Sequence, residues 1–292
     1  MANPRADRVR DVAKLAQRSA RARRGLFLAE GPQAVREALK LGPRVVAEVY
    51  ASEACLERYP ELGSLARATG ALRLANDDVL AAMADTVNPQ GILAVCRQLD
   101  TPLGDVLARS PRLLAVLCRV QDPGNAGTIL RAADAAGADA VVLTDGSVDI
   151  YNPKAVRSTA GSIFHVPVVV GADVDELARE ARAAGLGILA ADGYGTVDLD
   201  TLQDESAARR LGATQLGMAQ DGAPSSASPG PALEGPTAWL FGNEAQGLSD
   251  DELALADARV AVPVYGEAES LNVGTAATVC LYASARSQRR SG

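Results

Sequence analysis

Short apolar runs recur through the last two thirds of this chain, each followed by a stretch of helical composition. That alternation restricts the fold more than any other feature of the sequence. Residues 113–117, 141–143, 166–170, 187–191, 237–241 and 260–264 are apolar nearly throughout, not on alternate positions. A strand that is apolar on both faces must be covered on both faces, as in a parallel sheet whose crossovers are helices. The runs therefore predict a mostly parallel α/β domain over residues 112–292, with helices at about 126–136, 153–158, 173–184, 250–256 and 272–287. Asp173 reads as the cap of one of these helices.

The first third alternates in the same way on a smaller scale. Strands are expected at 26–30, 45–50 and 91–96. One helix opens at Gly31-Pro32 with Val35, Ala38 and Leu39 on one face; a second is capped by Asn76-Asp77-Asp78 and runs to Met83. This gives a compact α/β unit over 25–98, preceded by a segment at 1–24 and joined onward by a Pro-containing linker with a weak helix at 99–111. A length of 292 residues agrees with two domains. Residues 217–236, rich in Gly, Pro, Ser and Ala, read as a flexible insertion. No apolar run reaches the roughly 18 residues of a membrane helix, and the N-terminus is charged, so the expectation is an untargeted cytoplasmic chain without a membrane partner.

Net charge is −7, yet its distribution is uneven. Residues 1–24 hold eight cations, among them Arg18, Arg21, Arg23 and Arg24, against Asp7 and Asp11 alone. Arg286, Arg289 and Arg290 close the C-terminus. Arginine outnumbers lysine 26 to 3, and its planar fork suits phosphate. Such a run is either a solvated helix face or an arm for RNA. Cys55, Cys96, Cys118 and Cys280 are widely spaced, and His165 is the one histidine, so no metal-ligand spacing is present and buried, reduced thiols are expected. The apolar setting of His165 reads as a packed, hydrogen-bonded side chain.

Three loops after strands carry polar residues that packing alone would not choose. The first is Asn125-x-Gly127-x-x-x-Arg131, where Asn125 suits a helix cap. A dinucleotide fingerprint fails here, because only Gly124 and Gly127 are present and Leu130 stands at the last required glycine position. The second, Gly242-Asn243-Glu244-Ala245-Gln246-Gly247-Leu248, follows an apolar strand and places an amide and a carboxylate at the sheet's C-terminal edge. The third is Val262-Pro263-Val264 with Ser270-Leu271-Asn272-Val273, in which Ser270 reads as the cap of the last helix.

In this order and spacing the loops resemble the signature motifs of the SpoU/TrmH-type RNA ribose 2′-O-methyltransferases of the SPOUT superfamily. The segment Tyr151–Pro167 resembles the family's linking region. Phe27-Leu28-Ala29-Glu30-Gly31 and Asn88-Pro89-Gln90-Gly91 are similar to its small, ribosomal-protein-like substrate-binding domain. The resemblance implies a catalytic domain with a deep trefoil knot, S-adenosyl-L-methionine as methyl donor, a homodimer, and structured RNA, most of all 23S ribosomal RNA, as substrate. Transfer RNA, or a non-enzymatic RNA-binding role on the same fold, are the alternatives. It implies cofactor positions at Gly242, Val262 and Leu271 with their neighbours Leu240, Asn243, Gly247 and Asn272. Arg131 carries over as the residue acting on the 2′-hydroxyl, with Asn125, Glu244, Ser270 and Asn272 as its polar surround. A guanidinium gives up a proton with difficulty. Arg131 is thus either a base or a clamp on phosphate and oxyanion, with Glu244 or solvent taking the proton. Lys154 and Arg157 are either surface cations or RNA contacts, and Tyr194 and Tyr265 either turn residues or stacking platforms.

Overall fold

A computed structural model describes residues 1–215, with side chains through Arg209, and residues 232–289. Most of the 217–236 insertion, and Arg290, lie outside the described residues. Contacts divide the chain into two units: Met1–Asp100 with Asp122–Arg131 and Val148–Pro167, and Thr101–Gln121 with Ala132–Ser147 and Val168 onward.

The first unit is built on a four-stranded sheet ordered β1-β4-β2-β3, from β1 (Leu26–Glu30), β2 (Val46–Ala51), β3 (Leu72–Leu74) and β4 (Ile92–Arg97). β4 is antiparallel to both neighbours, while β3 runs parallel to β2. Its helices are α1 (Asp7–Ala13), α2 (Arg18–Arg24), α3 (Pro32–Leu41), α4 (Glu53–Arg58), α5 (Pro60–Ala68) and α6 (Asp77–Met83). α3 starts on Pro32, whose fixed φ suits the first helical position, and buries Val35, Ala38 and Leu39 as its spacing required. Asn76 caps α6 by accepting from the Val79 N–H at 3.1 Å.

The N-terminal segment is not an arm. Val9, Val12 and Leu15 are buried with Leu28, Tyr50, Leu80, Met83 and Leu93 in one core. Apart from buried Arg21, the charged residues of 1–24 lie outward, while Val9 and Val12 of α1 and Leu15 just after it help complete that core, a helical periodicity that the density of arginines masks.

The second unit is a seven-stranded sheet, parallel throughout, ordered β7-β6-β5-β10-β8-β11-β9. Its strands are β5 (Leu113–Leu117), β6 (Ala140–Thr144), β7 (Val168–Ala172), β8 (Gly187–Ala191), β9 (Val197–Asp198), β10 (Thr237–Phe241) and β11 (Ala258–Ala261). β5, β6 and β10 are buried at every residue, as two-sided coverage demands. The remaining helices are α7 (Leu103–Leu107), α8 (Pro123–Ala136), α9 (Pro153–Ser158), α10 (Val174–Ala183), α11 (Leu199–Gln215), α12 (Asp250–Ala254) and α13 (Val273–Arg289). α9 belongs by contacts to the first unit, as do the residues of α8 through Arg131. β11 ends before Pro263, which has no N–H to continue a ladder. Buried Trp239 on β10 donates its Nε1–H to Ser284 on α13 at 2.9 Å, fixing the last helix to the central strand. All four cysteines are buried thiols. Among the described residues no helix is long and apolar enough to cross a membrane, and no cluster of three His, Cys, Asp or Glu is placed to hold a metal.

Candidate active site

β5 and β10 are hydrogen-bonded neighbours in register, Leu117 beside Phe241, so the loops that leave them start side by side at the C-terminal edge of the sheet. In open α/β sheets that edge is where ligands bind. The loop after β10 turns sharply. A Cβ on Gly242 would stand 2.3 Å from the Gly247 carbonyl carbon and 2.4 Å from the Leu248 nitrogen, so no other residue fits. Asn243 and Gly247 exchange backbone hydrogen bonds at 3.0 and 2.8 Å, with Gly247 at φ +67°. The Asn243 carboxamide oxygen accepts from the Ala245 and Gln246 N–H groups, at 2.9 and 3.2 Å.

Two bonds tie this loop to the one leaving β5. Asn243 Nδ2 donates to the Arg119 carbonyl at 2.9 Å, and the Gln121 N–H donates to Glu244 Oε2 at 3.0 Å. The structure thus brings Asn243, Glu244 and Gly247 onto the chain segment that leads directly into α8. Arg119 itself has φ +55°, an uncommon conformation for a residue with a side chain. Its guanidinium forms a two-pronged pair with Glu252, Nε to Oε1 at 2.9 Å and Nη2 to Oε2 at 2.6 Å. Glu252 also closes a capping box with Ser249, whose N–H donates to the Glu252 carboxylate at 2.7 Å. Burial works to raise the Glu252 carboxyl, but the bonds and charge of Arg119 and the Ser249 N–H outweigh it and hold it below the usual range. Neither Arg119 nor Glu252 was a candidate from sequence. The Ser249-x-x-Glu252 pattern announced the capping box, and nothing announced the partner.

The other candidates fall in several places. Leu240 is buried within β10, Val262 is half-buried after β11, and Ser270 and Leu271 are exposed. Asn272, not Ser270, caps α13: its Oδ1 accepts from the Gly274 N–H at 2.9 Å, since the helix begins one residue later at Val273. The first unit holds Asn125 and Arg131. α8 begins at Pro123, and Asp122 performs the capping expected of Asn125 by accepting its N–H at 2.9 Å. The Lys154 ammonium, 2.7 Å from Asp122, and that N–H lower the Asp122 carboxyl. A Cβ on Gly127 would meet the Ala155 carbonyl oxygen and Ser158 Cβ at 2.5 Å, so Gly127 serves the close approach of α9 to α8. Arg131 is exposed and has no hydrogen-bond or ion-pair partner among the described residues.

The proposed RNA contacts divide. Arg21 is 1 % exposed, paired with Asp149 at 2.7 Å and bonded to the carbonyls of Leu15 and Ala16, so it is a structural residue and not an RNA contact. Arg18, Arg23 and Arg24 are exposed, Arg24 donating to the Asp11 carbonyl. Arg157 is held by Glu30 at 3.3 Å and Asp85 at 3.0 Å. His165 is hydrogen-bonded, to Glu37 at 3.1 Å, but exposed, not packed.

Comparison with known proteins agrees with this architecture. Residues 112–282 match the SpoU rRNA Methylase family, and residues 6–94 match the MRM3-like substrate binding domain. The chain is 36 % identical to the 23S rRNA (guanosine(2553)-2′-O)-methyltransferase RlmP of Bacillus subtilis, over 94 % of each chain. It is 30 % identical to the 23S rRNA (uridine(2479)-2′-O)-methyltransferase of Streptomyces viridochromogenes, over 96 % of this chain and 89 % of that one. The AdoMet-bound rRNA methyltransferase from Sinorhizobium meliloti superposes with a TM-score of 0.76 at 28 % identity, covering 98 % and 97 %.

Proposed function

The chain belongs to the SpoU rRNA Methylase family, and from that premise we propose that it transfers the methyl group of S-adenosylmethionine to a ribose 2′-hydroxyl of 23S ribosomal RNA. Ribosomal RNA is favoured over transfer RNA because relatives aligned along nearly the whole of both chains carry rRNA methyltransferase names. The observation that carries the reading is the bonding of the Gly242–Gly247 loop onto the Arg119–Gln121 segment at the C-terminal edge of two adjacent parallel strands.

The residues present fit the donor. The Gly242 turn leaves room for backbone but for no side chain, and exposed Leu271 with half-buried Val262 offers apolar contact to a flat ring system. Leu240, Asn243, Gly247 and Asn272 shape the same loops. When bound, S-adenosylmethionine supplies an electrophilic methyl on a sulfonium. The chain's task is to bring the 2′-oxygen in line and to stabilise its developing negative charge. Arg131, exposed and unpaired among the described residues, suits a clamp on the adjoining phosphate and on that oxygen. Glu244 is the carboxylate in this set and takes the proton directly or through water, while Asn125, Ser270 and Asn272 provide neutral hydrogen-bonding groups. The knotted path of the last segment and a homodimer through the second unit belong to the same reading; Val279 and Tyr282, 38 % and 50 % exposed on α13, support the dimer. So does work in the cytoplasm, where a ribosomal substrate is met.

Mass-spectrometric mapping of ribose methylation in ribosomal RNA, with and without the protein, tests the activity. One 2′-O-methyl site present only with the protein is the expected result, and identical maps overturn it.

A further inference from the structure

The first unit contains a cavity of about 220 Å³ that the reaction above leaves unused. It is smaller than the roughly 300–1,000 Å³ of pockets for drug-sized ligands, which limits the occupant to about a single ring system. Its apolar lining includes the half-buried Ala84, Pro89 and Ala160, together with the buried Leu80 of α6 and Ile92 and Leu93 of β4. Its polar lining includes Asn88, Gln90 and Arg157.

Charge selects among small ligands. Arg157 is the one cation of the lining, and it is bound by both the Glu30 and Asp85 carboxylates. Glu30 is itself buried and accepts the Asp85 and Thr86 N–H groups, each at 3.1 Å. With two carboxylates against one guanidinium there is no positive surplus, so neither phosphate nor any other anion is drawn in. A neutral, flat ligand is favoured, apolar on its faces and polar at its edge. The Asn88 and Gln90 carboxamides, each both donor and acceptor, have no hydrogen-bond partner among the described residues. Gly31 leaves space for the Gln90 side chain. The Gln90 amide oxygen lies 3.1 Å from where a Cβ on Gly31 would stand, and Gly31 has φ +88°. The same loop carries Val87, 93 % exposed, an apolar side chain offered to solvent.

We propose that this cavity receives one unstacked nucleobase of the substrate RNA, its faces against the apolar lining of Ala84, Pro89 and Ala160 and its polar edge read by Asn88 and Gln90. Recognition of splayed-out bases by apolar faces and edge hydrogen bonds is how proteins read unpaired RNA. The proposal rests on the reading of the protein as an RNA methyltransferase and gives its first unit a selective function beyond attraction to phosphate.

The test uses the full chain with 23S rRNA fragments carrying 4-thiouridine or 6-thioguanosine, photocrosslinked and mapped by peptide mass spectrometry. A crosslink to the peptide containing residues 86–93 is expected from one thio-base. Joint Asn88→Ala and Gln90→Ala substitution should remove it and raise KM for RNA on the order of 10- to 100-fold, as the loss of two edge hydrogen bonds implies. In that variant kcat and S-adenosylmethionine affinity should be unchanged. A wild-type protein that methylates its fragment without this crosslink, or a double variant with unaltered KM, overturns the proposal. A crosslink at 86–93 without methyl transfer to any fragment sustains the cavity and overturns the enzymatic reading.

Discussion

Two arginines show how burial decides what a charged residue is for. Arg131 and Arg21 both have the chemistry to grip RNA; the sequence sets one in a motif and the other in a basic run, but it does not show that one is exposed and the other buried. Arg131 is exposed on α8 and unpaired among the described residues, so its removal leaves no carboxylate stranded. Surface changes of that kind stay within about 0.5 kcal/mol of wild-type stability. Arg131→Ala should therefore keep its melting temperature and its calorimetric affinity for S-adenosylmethionine, while kcat falls by about 10²–10³, the usual cost of one oxyanion-stabilising donor. Loss of cofactor affinity instead would remove Arg131 from the chemistry. Arg21 predicts the opposite profile. It is buried with Asp149 and satisfies two backbone carbonyls. Truncation leaves a nearly buried carboxylate without its cation, a change that costs about 3–5 kcal/mol. Arg21→Ala should lower the denaturant midpoint accordingly, and RNA affinity measured below the unfolding transition should be unaltered.

At the scale of elements, legibility followed the length of the apolar run. Residues 26–30, 113–117, 187–191 and 237–241 were read to the residue because each is a near-continuous apolar block bounded by turn formers. β3 and β9 were missed: Leu72–Leu74 and Val197–Asp198 are too short to show a period and exist through pairing with β2 and β11. Caps were legible where one candidate stood alone, as at Asn76 and Asp173. They were misread where two competed, because Pro123 starts α8 early enough to make Asp122 the cap, and Asn272 lies nearer the start of α13 than Ser270. The motif loops were legible as sequence, but the Arg119–Glu252 pair that holds two of their flanks spans 133 residues and had no local signature. That pair has a consequence for pH. Glu252 titrates lower in the folded protein than its ordinary value of 4.5, so the stability it adds is complete above that value. It is lost as pH falls through the lower folded value. Glu252→Gln should cost about 2 kcal/mol at neutral pH, less than a fully buried pair because Arg119 is about a third exposed. Urea midpoints between about pH 3 and 6 should then fall less steeply with acid in the variant than in wild type. Parallel curves would show that Glu252 is not a source of acid sensitivity.

Across the whole molecule, the question is how a protein of net charge −7 holds a polyanion. The N-terminal arginine run suggests a strong electrostatic grip, but the fold consumes much of it. Arg8 pairs with Glu48, Arg10 with Asp7, Lys14 with Asp11 and Arg21 with Asp149. Arg18 and Arg23 remain exposed on α2 without an ion pair among the described residues. Each phosphate contact adds about 0.7–0.9 to the slope of log affinity against log salt, so few free cations mean a shallow slope. Joint Arg18→Gln and Arg23→Gln substitution should reduce that slope by about 1–2 and weaken RNA binding most at low salt. The Asn88→Ala and Gln90→Ala pair carries no charge change and should weaken binding by the same factor at every salt concentration. Fluorescence anisotropy titrations across a salt series separate the two contributions. A slope unaffected by the arginine changes would place the phosphate contacts elsewhere on the surface. A steep residual slope after those changes would show that cations now counted as ion-paired exchange their carboxylates for phosphate when RNA arrives.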